Sequence, residues 1–320
     1  MNKKGAIMIS IGCYSLLNLI GITKGRPLSE NRVLNDETRK EFEGDFVKTK
    51  MGVTRYILEG EKDAPLILFV GGLTTEGTDF FEIPARKFRA HGYQTLRYDL
   101  VGRGASERSD EFTYDTATYS RQIDELLEAL KVESPIYLIG QSLGGGIVTD
   151  WAGKNPHRVK AISLHCSAGY APDSELVISF LKIPFIGSYV FWLFQDKFTL
   201  GRISAHYSKP NESKIYFLEK EIRRSASFYG YRNAVFKTII NFGATNLETL
   251  FLKLKQSNLP IQIIWGEDDH ILSVNGAKMI NDWLGNTAEV HLLPNVGHMP
   301  LIEGVEIATP HVLKFFKNLK

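Results

Sequence analysis

The sequence predicts an α/β protein: a doubly wound, mostly parallel sheet interrupted by a mainly helical cap. Three observations predict it. Short apolar runs recur along the chain, helical patterns separate them, and the alternation lapses once, between about Ala171 and Ser257. Strands buried on both faces of a parallel sheet give near-continuous apolar runs. Strand–helix alternation over this length gives a doubly wound architecture.

The elements follow in order. Residues 23–45 are polar and charged and read as a linker. From Phe46 onward the core begins, with strands expected at Leu66–Val70, Thr95–Tyr98, Ile136–Ile139 and Val159–Leu164. Thr118–Leu130 is the clearest helix. Ile123, Leu126, Leu127 and Leu130 form one stripe, with Asp124, Glu125 and Glu128 off it. A second helix is expected over Gly145–Asn155. Residues 171–257 form the cap, with an aromatic cluster from Phe180 to Phe194 and a basic amphipathic piece at Lys214–Arg224. Most of that cluster is expected to pack the cap onto the sheet. Two more strands, Ile261–Trp265 and Val290–Leu293, return the chain to the core, which therefore comprises residues 46–170 and 258–320.

Composition narrows the function classes. In 320 residues, 43% are apolar and 23% charged, and the net charge is only +2. These values suit a packed globular chain. They give no basic excess of the kind that marks a nucleic-acid partner. Two cysteines exclude a disulfide framework and a multi-cysteine zinc site. The sequence leaves the oligomeric state open.

One segment departs from the average. Gly5–Ile22 carries no charge and is flanked by Lys3, Lys4, Lys24 and Arg26. As a helix it would measure about 27 Å, close to one hydrocarbon thickness. Residues 1–22 therefore read as a signal anchor or signal peptide. No clear small-x-small cleavage site follows, and Ser10-Ile11-Gly12-Cys13 matches a lipoprotein signal only loosely. The expectation is a membrane-anchored or exported protein. The alternative is a cytoplasmic one, with the segment lying on the domain as an amphipathic helix.

Gly140-Gln141-Ser142-Leu143-Gly144 lies between an expected strand and an expected helix. There G-x-S-x-G forms a sharp turn that exposes the serine hydroxyl, and the NH of Leu143 faces an oxyanion at a helix start. A hydroxyl is a weak nucleophile until a base takes its proton. Of eight histidines, His298 follows the last expected strand and so reaches the same carboxyl edge as Ser142. His165, which ends the strand after Ser142, is its competitor. A third group must orient the imidazole. Glu267, Asp268 and Asp269 all follow the strand Ile261–Trp265, and the residues alone leave the choice open. No metal and no organic cofactor is implied, and Cys166 reads as a small buried hydrophobe.

Taken together these motifs resemble the α/β-hydrolase family over about Thr49–Lys317. The family's acid stands three residues after a glycine, which implies Asp269 (after Gly266), with Asp268 as fallback. Its G-H-x-P element matches Gly297-His298-Met299-Pro300, with Glu303 behind it. Asp99–Ser106 resembles its D-x-x-G-x-G-x-S turn, a structural element. The family's usual histidine after the early strand is replaced by Gly71, and the resemblance makes the NH of Leu73 the second oxyanion donor. Relatives resembling haloalkane dehalogenases and epoxide hydrolases carry Asp where this chain has Ser142.

The resemblance and the apolar cap imply a serine hydrolase of carboxylic esters with medium or long acyl groups, lipid-derived ones included. Its substrate would be a small apolar ester, met in part at a membrane surface. Two other readings stay open: a carbon–carbon bond hydrolase of ring-fission products, and a non-catalytic ligand-binding protein that keeps the fold.

Overall fold

The computed structural model describes residues 29–75 and 77–319. The expected anchor at 1–22, and linker residues 23–28, lie outside the described residues. Helix α1 (Asp36–Arg39) precedes a hairpin of β1 (Asp45–Thr49) and β2 (Gly52–Glu59). The chain continues through β3 (Leu66–Val70), α2 (Gly77–Phe80), α3 (Glu82–Arg89), β4 (Gln94–Tyr98), α4 (Thr116–Ala129), β5 (Ile136–Gln141), α5 (Leu143–Lys154) and β6 (Val159–His165). A helical insertion follows: α6 (Glu175–Leu181), α7 (Ile186–Thr199), α8 (Glu212–Ala226) and α9 (Tyr231–Asn241). The chain ends with α10 (Glu248–Lys255), β7 (Ile261–Gly266), α11 (Asn275–Trp283), β8 (Glu289–Leu293) and α12 (Val305–Lys317).

The eight strands form one sheet in the order β1-β2-β4-β3-β5-β6-β7-β8. β2 is antiparallel to β1 and to β4, and the remaining neighbours are parallel. The chain runs from β3 outward to β4 and then returns to place β5 on the other side of β3. Such a reversal opens a crevice at the carboxyl ends of the two inner strands. Gly71-Gly72-Leu73 and Ser142 stand there.

The inner parallel strands are buried on both faces because helices cover both. β3 and β5 are buried throughout. On one face α4 buries Tyr119, Ile123, Leu126 and Leu127, and its first turn is capped by the Asp115 carboxylate, which accepts from the NH of Thr118 at 2.8 Å. Beside it α5 is buried from Leu143 to Ala152. Its glycines are a packing requirement. A Cβ on Gly144 would sit 2.1 Å from the Val70 carbonyl oxygen, so only glycine lets the helix start this close to β3. The other face is filled by Phe81, Phe88, Tyr137, Ile139 and Phe316.

Three expectations need correction. The described part of the linker, residues 29–45, is strapped to the fold. Asn35 caps α1, the Arg32 guanidinium lies 4.6 Å from the centroid of the Phe228 ring, and Phe42 is buried against Ala105 and Phe228. A polar segment reads as a linker, but one buried phenylalanine and stacked arginines are enough to hold it. Helix α10, which falls inside the expected cap at 171–257, packs on α5 and α11, with Phe251 and Leu254 fully buried. The aromatic cluster does not mainly pack inward. Phe191 is buried, but Phe180, Phe185, Tyr189 and Phe194 are exposed.

Candidate active site

Ser142 occupies the turn between β5 and α5 with φ 55° and ψ −119°. That is a sparsely populated conformation for a residue with a side chain, and such strain persists where the surroundings enforce it. Here they do. The NH of Ser142 donates to the His165 carbonyl at 2.9 Å, and its own carbonyl accepts from Ala168 at 2.8 Å and Gly145 at 2.9 Å. A Cβ on Gly140 would meet the Gly144 carbonyl oxygen at 2.6 Å, so the elbow closes only with glycine there.

His298 lines the same cavity as Ser142, at the mouth of the loop after β8. Its Nδ1 is 2.8 Å from Oδ2 of Asp269. Asp269 is buried, and its Oδ1 accepts from the NH groups of Ile271 at 2.8 Å and Leu272 at 2.9 Å. Burial alone would raise this carboxyl, but the His298 ring and the two NH groups outweigh it and hold it below the usual range. Asp268 faces elsewhere and accepts from the Ser208 hydroxyl at 2.5 Å. The geometry thus separates the two carboxylates that spacing left adjacent.

The His298 loop is held from several sides. Its NH donates to the His206 carbonyl at 2.9 Å, and its carbonyl accepts from the Gln141 amide at 2.6 Å. Glu303 accepts from the NH of Gly297 at 2.9 Å and also takes the NH of Ser208 and the Lys214 ammonium, which ties the loop to the insertion. The His206 ring packs edge-on to His298 with centroids 5.6 Å apart. Burial, and then the nearby His298, press His206 down to about 4, so near neutral pH it adds no competing charge.

His165 is fully buried, and Nε2 meets the Ser163 hydroxyl at 2.9 Å. It contributes only its carbonyl to the elbow. Burial presses the imidazole down to about 3. Such a group stays neutral in the folded chain while it charges in the unfolded one below pH ~6.5, so the unfolded state gains protons as pH falls. Stability should therefore decline from about pH 6 to pH 4, by about 1 kcal/mol per pH unit for this residue. Urea melts at several pH values should show that slope, and His165→Gln should remove its share.

The NH groups of Leu73 and Leu143 find no acceptor among the described residues. Both residues border the cavity beside Ser142. In place of the missing histidine at Gly71, Arg103 braces this loop. Its Nε donates to the Leu73 carbonyl at 2.8 Å, and its other nitrogens reach Thr238 of α9 at 2.9 Å and the Tyr119 hydroxyl at 3.1 Å. If the Leu73 NH receives an oxyanion, Arg103→Met should lower kcat about 10-fold or more with little change in KM, because such a donor acts most in the transition state. Steady-state kinetics beside a thermal melt would check this. The neighbouring Asp99 is structural, as its turn implied. It is buried and accepts from Thr78, Ala105 and Arg55.

Cys166 is buried, and burial followed by the Asp269 carboxylate pushes its thiol well up, so it remains protonated. Cys166, Asp269 and His298 offer ligand atoms within 4.8 Å of one another. Within this cluster Asp269 already accepts from His298 and from two NH groups. Sequence reasoning missed Arg103, His206 and Gln141 as parts of this site, since each acts on a residue distant in the chain.

The cavity measures about 490 Å³ and is largely apolar, with Val177, Ile178, Leu181, Phe198, Ile271 and Leu272 among its walls. Comparison with known proteins finds similarity to hydrolases. The chain is 27% identical over 230 residues to an uncharacterized hydrolase, YugF, of Bacillus subtilis, covering 70% of this chain and 81% of that one. It is 26% identical over 282 residues to a monoacylglycerol lipase of Homo sapiens, covering 80% and 76%. An esterase from Exiguobacterium antarcticum superposes with a TM-score of 0.71 at 17% identity, over 86% of this chain and 100% of that one. The model of the alpha/beta hydrolase fold matches residues 65–305, which span the elbow, the insertion and the His298 loop. The chain belongs to the α/β-hydrolase fold family.

Proposed function

We propose that this hydrolase cleaves carboxylic esters with medium or long acyl groups, lipid-derived esters among them, through an acyl-enzyme on Ser142. One observation carries the reading: Ser142 opens into an apolar cavity shared with His298, whose ring is hydrogen-bonded to the buried Asp269. In this mechanism His298 takes the Ser142 proton as Oγ attacks the ester carbonyl carbon. The NH groups of Leu73 and Leu143 receive the oxyanion. The alcohol leaves with the proton from His298, and a water molecule, deprotonated by the same imidazole, releases the acid and restores Ser142. Asp269 fixes the tautomer with Nδ1 protonated and stabilises the imidazolium.

The substrate class rests on the cavity walls, since apolar walls with few polar groups favour an acyl chain. Similarity to a lipase that acts on monoacylglycerols supports the same class. The uncharged run Gly5–Ile22 supports placing this chemistry at a membrane. A p-nitrophenyl ester series from acetate to palmitate, with Ser142→Ala as control, tests the reading. Turnover that depends on Ser142 and peaks beyond butyrate is expected. No Ser142-dependent turnover at any length would overturn it.

A further inference from the structure

We propose that the α6–α7 hairpin is a lipid-docking wedge that enters a bilayer surface beside the N-terminal segment and opens the Ser142 cavity toward the lipid. Only the delivery of substrate by this route rests on the ester-hydrolase reading; the docking itself does not.

From Leu176 to Gln195 the sequence holds a single charged residue, Lys182. In a soluble helical hairpin the outer face should be polar. Here Leu176 is 82% exposed and Phe185 89% exposed, with Val177, Ile183, Ile186 and Tyr189 exposed around them. Single exposed apolar residues are ordinary, but a contiguous group marks an interaction surface. Its shape favours lipid over a protein partner. The two helices meet at 118°, and Phe185, the most exposed ring, stands at the turn between them. The patch is thus a projection, which a fluid surface accommodates readily. Among the described residues no single helix is long and apolar enough to cross a membrane, so the hairpin suits insertion to a shallow depth. Lys182 and Lys197 are exposed on it, suited to lipid phosphates, while Asp173 and Glu175 stand at the end of α6 away from the turn.

Two further observations tie the patch to a bilayer. The same helices wall the cavity from within, through Ile178, Leu181 and Phe198. The chain also enters the described fold beside α7. The Glu30 carboxylate accepts from the NH of Arg232 at 2.7 Å, and the Arg232 guanidinium lies 3.7 Å from Asp196 of α7. The eight residues Thr23–Glu30 separate this point from the uncharged run. They reach at most about 28 Å. The point at which the chain enters the described fold is thus linked to the helix that carries the wedge.

The test uses the full chain in a Cys13→Ser background, with an environment-sensitive fluorophore on Phe185→Cys or, as control, on Lys62→Cys. Vesicles of phosphatidylcholine and phosphatidylglycerol are added. The label at position 185 is expected to shift to the blue on vesicle addition, and the label at 62 to stay unchanged. An unshifted label at 185, with or without sedimentation of the protein on vesicles, would overturn the proposal. So would a label already shielded in buffer in a concentration-dependent way, which would assign the face to a second copy. A second arm compares turnover of Leu176→Asp/Phe185→Asp on two esters. A vesicle-dispersed long-chain ester should lose at least 10-fold, and a soluble short-chain ester should stay within twofold. Unchanged turnover on both would overturn the proposal, and so would a parallel loss in a variant that circular dichroism shows to be folded. Turnover of the soluble ester by the unaltered chain reports on the ester reading separately from docking.

Discussion

Replacing Ser142 with alanine is expected to lower ester turnover by about 10⁴-fold or more, to the level left by binding and oxyanion stabilisation alone. The effect should be this large because Ser142 carries the one hydroxyl within the Gly140–Gly144 turn. The fold should survive the change. The backbone bonds that hold position 142 run through its NH and carbonyl, and alanine keeps both. Steady-state kinetics on the best ester of the series, with circular dichroism of the variant, would check both halves. A loss of less than 10-fold would mean that another group attacks the ester.

Asp269→Asn should cost about 10³- to 10⁴-fold in kcat, and Asp268→Asn less than about 10-fold. An asparagine amide can donate to Nδ1 of His298, which favours the tautomer whose Nε2 carries the proton and cannot accept one from Ser142. Asp268 touches Ser208, so its loss loosens a joint between core and insertion without reaching the imidazole. The pH dependence has a definite sign. The Asp269 carboxyl is held below its usual range in the folded chain, so its contribution to stability is present above pH ~4 and is lost as pH falls through the lowered value. Kinetics of the two variants and acid melts beside the unaltered chain would check this. Equal losses for Asp268→Asn and Asp269→Asn would remove Asp269 from the role assigned to it.

The parallel core was legible in the sequence because burial on both faces leaves runs such as Leu66–Val70 with no polar alternation to confuse them. Its six strands lie where their apolar runs predict, within a residue or two at each end. The β1–β2 hairpin was not legible. It sits at a sheet edge, half exposed, and mixes Lys48 and Arg55 with its apolar residues, so no clean period survives. Helix α10 was assigned to the cap because its composition matches the helices before it. What separates them is packing against α5, which composition does not carry. At the candidate site, glycine spacing and strand ends were enough to expect Ser142 and His298 at one sheet edge, and both line one cavity. The choice between Asp268 and Asp269 needed a family register, and the side-chain directions distinguish them. Arg103 was invisible as a brace, since its partners Leu73 and Thr238 lie far away in the chain and a buried arginine has no sequence signature.

In the mechanism we propose, Ser142, activated by His298, forms a covalent acyl-enzyme. Labelling with a fluorophosphonate, read by intact mass and peptide mapping, tests it most directly. One adduct is expected, on Ser142, absent in Ser142→Ala and His298→Ala and retained in His165→Ala. An adduct on another residue, or labelling that survives His298→Ala but fails in His165→Ala, would contradict it.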